Sequence, residues 1–394
     1  MVRSRSLSLA MAVAGLSISL QGVAQVQTPT PAATTTPAPT PAPATTPAAA
    51  PAPAQAPAVQ APAQTQGQVQ PDRQVRLTVQ GAFPRSIFIS GTSAIALVEK
   101  IRKVSGGSID ARFTDPGSIV PPFQMLEAIQ SGALDAAWSV GGYWGGKDAT
   151  FNLFSAVPFG PDNVEFIAWM YSGGGLEMMR ELYANYGAVA IPCGMTPPEA
   201  GGWFRKEIKT VDDLKGLKMR FYGIGSNALA KLGVVPQNIP GGDIYSALER
   251  GTIDATEFST PSIDVTLGLH KVAKFYYFPG WHQQATFLEL LISKKKWDEM
   301  SATQKSLIEL SCGDSVRDTI AQGEGAQFKA LADLQANGVQ FRRFPKPVLD
   351  ALEKAWREVV AEESAKNPRF KTVNEQFTKF RENYAVWRQM SSLK

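Results

Sequence analysis

Two side chains of opposite charge stand at the ends of predicted β-strands within the segment from Gly201 to Phe258. Arg220 ends the short run KMR, and Glu257 ends the run GTIDATE. In open parallel sheets, ligands lie just beyond the carboxyl ends of the strands. A guanidinium group is planar and can donate two parallel hydrogen bonds to a carboxylate. Arg220 is therefore the first candidate for binding a small organic anion.

Two glutamates raise a different chemical question. A bare carboxylate beside a bound anion would repel it unless a cation, a proton or an arginine offsets its charge. Glu257 poses this question at its strand end, and so does Glu199, just before Ala200-Gly201-Gly202. Together they suggest a hard metal ion bound through oxygen atoms. The alternative is that either glutamate is an ordinary exposed residue.

Catalytic groups are scarce in this sequence. It contains two histidines, His270 and His282, and neither H-E-x-x-H nor G-x-S-x-G. His282 adjoins Trp281 in a predicted cleft segment, where a hydrogen-bonding role is open to it, while His270 is interpreted as a surface or helix-end residue. Ligand binding without catalysis is the better interpretation, so the protein is not expected to be an enzyme.

One glycine-rich turn resembles a dinucleotide-binding fingerprint. Residues 223–228 fit G-x-G-x-x-A, and Asp243 follows Gly225 by 18 residues. However, the preceding strand KMRFY is charged and the following helix is short, and an exported protein has little access to NAD. The turn is interpreted as a flexible strand–helix connection beside a ligand.

The elements that must position these residues belong to the α/β class. Short β-rich runs alternate with helix-length amphipathic runs, as in a parallel α/β lobe. The segments 127–138 and 246–257 echo each other, each predicting a helix, a glycine and a strand. The folded region begins near Val75 and exceeds the length of about 250–300 residues at which a single core stops growing, so two lobes are predicted.

The N-terminal segments have other compositions. Residues 1–24 have two arginines before an apolar run and small residues at the end, which predicts a secretory signal; a retained membrane anchor is the alternative. Residues 25–74 are rich in Pro, Ala and Thr and predict a disordered linker. Outside the cytoplasm Cys193 and Cys312 could be oxidised to a disulfide. The sequence leaves open whether they form a disulfide or are two buried thiols.

The net charge is small. The formal net charge of +4 comes without a strong basic run apart from Lys294-Lys295-Lys296, which is interpreted as a solvated helix entry. Nucleic acid is therefore not an expected partner.

Two strings are specific, DDLKGLKMR (212–220) and GGDIYSALERGTIDA (241–255). Through them the folded region resembles, along essentially its whole length, the solute-binding subunit (DctP type) of TRAP transporters. With Tyr276–Trp281 and Gly201–Arg205, it is greatest to the branch that binds pyruvate and other 2-oxo monocarboxylates. The resemblance implies a two-lobed periplasmic-binding-protein fold with hinge strands and a long C-terminal helix.

The resemblance also implies a binding site. Arg220 would bind the carboxylate of the ligand, and a sodium or calcium ion would lie beside it; no organic cofactor is implied. The ion would be held by Glu199, Glu257, Gln283 and the backbone at Phe258. Further contacts to the ligand are expected from Glu199 and Gln283 themselves and from aromatic side chains, namely Phe83, Tyr143, Trp144, Trp203 and Trp281. On this basis Arg220→Ala is expected to lose affinity while keeping the fold.

This chain departs from the branch at several of these positions. The branch has Gln at the position of Glu199 and Glu at that of Gln283, so the two residue types have exchanged places. It has Trp at the position of Phe258 and Asn at that of Met195. The class of ligand, a small organic acid, is compatible with these changes, whereas its identity stays open.

The expected organisation follows from the resemblance. Lobe 1 is predicted to comprise 75–199 with about 258–285, and lobe 2 to comprise 200–257 with about 286–394. Beyond Trp297 the sequence predicts helices. The lobes would close on a ligand in the periplasm, and the closed form would dock on TRAP membrane permease subunits. A homodimer through the C-terminal helix is compatible with this. Two other classes stay open: a binding protein for an ABC importer or sensor, and an exported oxidoreductase.

Overall fold

The computed structural model describes residues 72–391. The predicted signal segment 1–24 and the linker as far as residue 71 lie outside the described residues. Among the described residues, no helix combines the length and the apolar character needed to cross a membrane.

The described chain alternates between strands and helices, as the hydrophobic pattern predicts. The strands are β1 (Val75–Gly81), β2 (Ile109–Thr114), β3 (Ala136–Ser139), β4 (Ala188–Thr196), β5 (Gly202–Phe204), β6 (Lys218–Arg220), β7 (Val235–Gln237), β8 (Ala255–Thr256), β9 (Phe275–Phe278), β10 (Thr286–Ser293) and β11 (Gln340–Arg343). The helices are α1 (Thr92–Val104), α2 (Met125–Ser131), α3 (Asn163–Ser172), α4 (Gly175–Ala184), α5 (Gly225–Lys231), α6 (Ile244–Glu249), α7 (Pro261–Leu267), α8 (Lys294–Asp298), α9 (Ala302–Ala336), α10 (Lys346–Lys366) and α11 (Pro368–Ser391).

Two sheets form the centres of two lobes. The first sheet has the order β2-β1-β3-β10-β4, in which β1 is parallel to β2 and β3 while β10 is antiparallel to β3 and β4. The second has the order β11-β9-β5-β8-β6-β7, in which β6 is parallel to β7 and β8 while β5 is antiparallel to β8 and β9. The chain is thus an α/β protein with two lobes, as the sequence predicts.

Two strands lie in the opposite lobe from the one expected. β9, within the segment 258–285 assigned to lobe 1, pairs in the second sheet, and β10, within 286–394 assigned to lobe 2, pairs in the first. Every residue of β10 is buried. An apolar strand of this kind suits the middle of either sheet. The residues of β10 alone therefore do not indicate which sheet the strand joins.

A short strand also interrupts the predicted run of C-terminal helices. β11 pairs in parallel with β9 at the edge of the second sheet. Its Arg342 bonds Glu207 on the neighbouring part of the chain. A charged edge strand of this length lacks the apolar alternation that identifies a strand from sequence.

The echo between residues 127–138 and 246–257 corresponds to the same unit in each lobe. Gly132 follows α2 with φ of 77° and Gly251 follows α6 with φ of 74°, a left-handed conformation that favours glycine. The carboxylate of Asp135 accepts a hydrogen bond from the backbone N–H of Thr78 in β1. Asp254 accepts one from Lys218 in β6 in the same manner. The shared sequence pattern therefore fixes the same strand connection twice.

The long helix α9 spans both lobes. It packs against β4 and α1 on the first lobe and against α7 on the second. Cys312 on α9 forms a disulfide with Cys193 on β4, and both are fully buried. The sequence left open whether these cysteines pair, and the structure shows that they do. The disulfide attaches α9 covalently to the first sheet.

Candidate functional site

A cavity lies between the lobes, beyond the carboxyl ends of β6 and β8. Its volume is about 360 Å³, a figure that includes the solvent-open space at its mouth. Both lobes contribute to its wall, which is lined by Phe83, Ser90, Val140, Tyr143, Thr196, Glu199, Arg220, Tyr222, Phe258, Ser259, Gln283, Thr286 and Leu288. The position agrees with the general rule for ligands of open α/β sheets.

Arg220 is the buried cation of this cavity. It is the last residue of β6, and only 1% of its surface is exposed. Its Nη1 donates to the carboxylate and to the backbone carbonyl of Glu257, each at 2.6 Å, and its Nε donates to the carbonyl of Ile239 at 3.2 Å. Nη2 is left without a hydrogen-bond partner among the described residues. The Phe258 ring lies 5.5 Å from the guanidinium carbon. Arg220 is thus held rigidly with one nitrogen to spare.

Glu257 follows β8 directly and is fully buried. Its Oε1 accepts hydrogen bonds from Arg220 and from the backbone N–H of Tyr222. Burial acts to raise the pKa of Glu257, but the charge of Arg220 and the neighbouring His282 outweigh it and lower this pKa. Glu257 is therefore an ionised carboxylate, and its Oε2 has no hydrogen-bond partner in the part of the chain that the structure describes.

Glu199 faces the same point from the segment between β4 and β5. Its Oε1 accepts hydrogen bonds from the hydroxyl of Ser259, at 2.8 Å, and from the amide of Gln283. Burial and the nearby charge of Glu257 raise its pKa to about 7, against the opposing effects of His282 and Ser259. Its Oε2 is buried and finds no hydrogen-bond partner among the residues described, and the same holds for Oε1 of Gln283.

His282 completes this group, and its central position was not predicted. Its Nε2 lies 3.7 Å from Oε2 of Glu199 and 3.5 Å from Oε2 of Glu257. The imidazole is held by the rings of Phe221 and Trp281, whose centroids are 4.7 and 5.8 Å away. Burial acts to lower the pKa of His282, but the two carboxylates outweigh it and raise it to about 9. Neither ring nitrogen has a hydrogen-bond partner among the described residues.

These three side chains can hold a cation. One ligand atom from each of Glu199, Glu257 and His282 lies within 4.8 Å of the others, and all three residues are buried. Buried polar atoms in proteins normally have a partner. Since Oε2 of each glutamate has none, the residues fit a metal ion at this point.

Tyr222 joins the two lobes across the cavity, and the sequence reasoning missed it. Its hydroxyl accepts a hydrogen bond from the backbone N–H of Gly142 at 2.9 Å and lies 2.7 Å from the hydroxyl of Ser155. A nearby contact runs from the backbone N–H of Ile224 to the Asn152 side chain at 3.0 Å. The signal was present, because residues two apart in an extended run lie on the same face, so Tyr222 follows Arg220 toward the cavity.

The predicted site residues divide into two groups. Six of them line the cavity, namely Phe83, Tyr143, Glu199, Arg220, Phe258 and Gln283. Tyr143 offers a buried hydroxyl that no other described residue hydrogen-bonds, and burial raises its pKa to about 12. Glu257 does not line the cavity itself. It binds Arg220 through Oε1, and its Oε2 faces Nε2 of His282.

Three predicted tryptophans are not in the cavity wall. The indole N–H of Trp144 donates to Glu289 at 3.0 Å, and that of Trp203 donates to Asp264 at 2.7 Å. Trp281 stacks on Phe221 and supports His282 from behind. A buried indole needs a partner for its N–H, and here the core of each lobe provides it for Trp144 and Trp203. In this structure these side chains pack the lobes and are not among the residues that line the cavity.

The structure also shows where Met195 and the glycine-rich turn lie relative to the cavity. Met195 is buried but absent from the cavity wall, whereas the next residue, Thr196, lines it and has a hydroxyl without a hydrogen-bond partner in the described segment. The glycine-rich turn at 223–228 borders a second, more polar depression beside the lobe interface. Its Ile224 N–H is taken by Asn152, so the turn serves the contact between lobes.

Comparison with known proteins agrees with this architecture. Residues 85–367 match the family model DctP, bacterial extracellular solute-binding protein, family 7. A monocarboxylate 2-oxoacid-binding periplasmic protein from Nostoc sp. is 33% identical over 321 residues, which cover 81% of this chain and 87% of that protein.

Two solved structures are also similar over most of their length. A TRAP transporter solute-binding protein from Bordetella bronchiseptica, with copurified calcium and picolinate in a mixed-occupancy dimer, is 36% identical with a TM-score of 0.79, covering 81% of this chain and 95% of that one. A TRAP solute-binding protein from Pseudoalteromonas atlantica with bound sodium and pyruvate is 34% identical with a TM-score of 0.77, covering 81% and 97%.

Proposed function

This chain belongs to the DctP family of bacterial extracellular solute-binding proteins, and on that premise we propose that it captures a 2-oxo acid or a related small monocarboxylate together with a cation. It is a TRAP solute-binding protein and not an enzyme. Relatives that are 33–36% identical bind 2-oxo acids, pyruvate or picolinate, the last two with sodium or calcium. The ligand of this chain is inferred from its own cavity.

The observation that carries the proposal is a set of polar atoms that share the cavity with Arg220 and have no hydrogen-bond partner within residues 72–391. They are the hydroxyls of Tyr143 and Thr196 and the oxygens Oε2 of Glu199 and Oε1 of Gln283. Leaving such a group unsatisfied costs about 1–3 kcal/mol, so a bound molecule that pairs with all of them is strongly favoured.

A 2-oxo acid with a cation meets these demands. Arg220 Nη2 and the two hydroxyls can donate to the carboxylate and keto oxygens of the acid. Oε2 of Glu199 and the amide oxygen of Gln283 are acceptors, and a positive ion bound beside the acid would satisfy both. Sodium or calcium, held by Glu199, Glu257, Gln283 and the backbone carbonyl of Phe258, would neutralise the acid and the glutamates together.

Closure of the lobes would retain the ligand. Tyr222 contacts Gly142 and Ser155 of the first lobe only when the two lobes are together. A ligand bound to both lobes favours this state through contacts absent from the open one. Phe83, Tyr143 and Phe258 then keep water away, which strengthens the attraction between Arg220 and the carboxylate.

The remaining parts of the proposal concern location and partners. The protein would be exported to the periplasm by residues 1–24, and its closed form would dock on the membrane permease subunits of the transporter. A homodimer through α11 is part of the proposal, since Val386, Trp387 and Met390 are exposed on it and a similar protein crystallised as a dimer. Light scattering of the purified protein measures this directly.

Ligand screening tests the central proposal. Thermal unfolding is followed with 2-oxo acids, hydroxy acids, amino acids and aromatic acids, because a ligand that binds the native state raises the midpoint. A 2-oxo acid is expected to give the largest rise, and calorimetry after exhaustive chelation and sodium removal is expected to show weaker binding. Stabilisation by another class alone, with no response to 2-oxo acids, would contradict the ligand assignment.

A further inference from the structure

A buried carboxylate in the first lobe is bonded to a turn that forms part of the cavity wall. The short helical turn Gly141–Trp144 is buried throughout. Its Tyr143 lines the cavity, with a hydroxyl that no described residue hydrogen-bonds. The next residue, Trp144, donates its indole N–H to Oε1 of Glu289 at 3.0 Å. The side chain that faces the cavity is therefore adjacent to one that is fixed by Glu289.

Glu289 is itself held in place by a second donor. The hydroxyl of Tyr183 on α4 lies 2.7 and 2.6 Å from its two carboxylate oxygens. The same hydroxyl supports the turn, because a Cβ atom at Gly141 would lie only 3.3 Å from it. The strand residue before Glu289, Leu288, lines the cavity, whereas Glu289 does not. Glu289 thus fixes the turn without touching the space in which a ligand would lie.

The turn is also one side of the contact between the lobes. The backbone N–H of Gly142 donates to the hydroxyl of Tyr222 at 2.9 Å, and that hydroxyl lies 2.7 Å from the hydroxyl of Ser155. A Cβ atom at Gly142 would lie 2.4 Å from the Tyr222 hydroxyl oxygen, so the two segments approach as closely as a glycine allows. A displacement of the turn would change the ligand contact and the lobe contact together.

We propose that Glu289 is a positioning residue for ligand binding: it fixes the 141–144 turn, whose Tyr143 contacts the ligand and whose Gly142 contacts the second lobe. Hydrogen bonds to a carboxylate are stronger than those between neutral groups, so this acid holds the turn firmly. The proposal rests on the proposed function in taking a small organic acid as the ligand.

Closure of the lobes should also bind a proton at Glu289. Burial raises the pKa of Glu289 from 4.5 to about 7 in this closed arrangement. When Tyr222 leaves the turn, water comes closer to Glu289 and its pKa falls back toward 4.5. The raised pKa belongs to the closed state, so the proton strengthens ligand binding below pH 7, and this contribution is lost as the pH rises through 7.

No other titratable group that faces Glu289 among the described residues changes charge in this range. Burial holds the pKa of Tyr183 and of Tyr222 well above 10, and it raises that of Tyr143 in the turn to about 12. The flanking strands β3 and β4 contain no charged residue, and the charged residues of α2, α4 and α8 lie at the surface. A pH effect that is lost in a Glu289 variant therefore reports on Glu289.

Calorimetry with pyruvate at fixed sodium and calcium concentrations tests the positioning role. Glu289→Leu removes the acceptor of both donors, and its affinity at pH 6 should fall about tenfold or more. Glu289→Gln keeps an acceptor oxygen and should restore wild-type affinity at pH 6. Glu165→Gln is the control, because Glu165 is a buried carboxylate of the same lobe that pairs with Arg381 on α11. Its affinity should match that of the wild type.

The pH profile separates positioning from a general loss of stability. The ratio of wild-type affinity to Glu289→Gln affinity should fall by up to about tenfold between pH 6 and pH 8. Groups of the cation site titrate in both proteins, so their effects cancel in this ratio. A constant ratio overturns the proposal, and so does wild-type affinity in Glu289→Leu.

Two further measurements keep the test decisive. If Glu289→Leu fails to fold, Trp144→Phe removes only the indole N–H and should weaken pyruvate binding about fivefold, and unchanged affinity overturns the proposal. Small-angle scattering without ligand should show a more compact wild type at pH 6 than at pH 8, and no such change in Glu289→Gln. That scattering result without any pyruvate binding contradicts the proposed function alone, whereas pyruvate binding with a constant affinity ratio contradicts the role of Glu289 alone.

Discussion

Arg220 and Glu257 are joined twice, since Nη1 of Arg220 donates at 2.6 Å to both the carboxylate and the backbone carbonyl of Glu257. Each side chain is at most 2% exposed. The cation that is proposed to bind the ligand is therefore also the counterion of a buried carboxylate. A single residue serves affinity and stability, and substitutions at Arg220 must be chosen to separate the two.

Arg220→Lys separates them. A lysine keeps the charge beside Glu257 but cannot also provide the second nitrogen for the ligand, so affinity for pyruvate should fall on the order of 100-fold. Arg220→Ala should in addition destabilise the fold by about 3–5 kcal/mol, because it leaves Glu257 buried and unpaired. This replaces the expectation that Arg220→Ala spares the fold. Calorimetry and denaturant unfolding measure both effects.

Arg85→Lys provides the control for Arg220→Lys. Arg85 pairs with Asp115 on the surface, and exposed ion pairs contribute little to stability. Affinity and stability should both stay close to the wild type there. If Arg220→Lys and Arg220→Ala both bound pyruvate with near-wild-type affinity, Arg220 would not be a ligand-binding residue.

Glu199 and Gln283 form a hydrogen-bonded pair whose residue types can be exchanged. Glu199→Gln removes one carboxylate from the cation site, and cation-dependent binding of the acid should weaken by at least about tenfold. Adding Gln283→Glu restores the charge a few ångströms away and should recover most of that loss. Calorimetry at a fixed cation concentration compares the single and double variants. If the double variant is no better than Glu199→Gln, total charge is not what the site requires.

Tyr222→Phe tests closure of the lobes. The substitution removes the hydroxyl that contacts Gly142 and Ser155, and a lost hydrogen bond costs about 1 kcal/mol, so affinity should fall about fivefold. Small-angle scattering should show a less compact protein at subsaturating ligand. Tyr171→Phe on the exposed face of α3 is the control. Ser155→Ala should be non-additive with Tyr222→Phe, and full additivity would mean that the two hydroxyls act separately.

Glu289 should give the stability of the protein a dependence on pH. Burial raises its pKa from 4.5 to about 7, although Tyr183 and Trp144 donate hydrogen bonds to it. A raised acid pKa means that the folded state binds the proton more tightly, so the contribution of Glu289 to stability is fully present below pH 4.5 and is lost as the pH rises through 7. Glu289→Gln removes this term.

The free energy of unfolding of Glu289→Gln, relative to wild type, should therefore rise between pH 4.5 and pH 8 by an amount on the order of 3 kcal/mol. Denaturant unfolding at several pH values measures the difference. Glu309→Gln, at an exposed pair with Arg180, should show no such rise. A constant offset between Glu289→Gln and wild type at all pH values would show that Glu289 does not titrate in this range.

The sequence by itself determined the class of fold and the polar centre of the site. Strand and helix periods, with glycines at 132 and 251, are local properties, and they identified the α/β units correctly. The charge at the end of a predicted strand identified Arg220 as a candidate binding residue. The sequences at 212–220 and 241–255 identified the family. Glu199, Glu257 and Gln283 followed from the resemblance and converge at one place.

Only the tertiary structure decided how distant segments meet. Which sheet β9 and β10 join depends on register between strands far apart in the chain, and each is compatible with either lobe by its own residues. The partners of Trp144 and Trp203, the contact of Tyr222 with Ser155 and the place of His282 between two glutamates have the same origin. Each joins residues separated by many positions, and a local pattern contains no information on such distances; packing of the two lobes sets them.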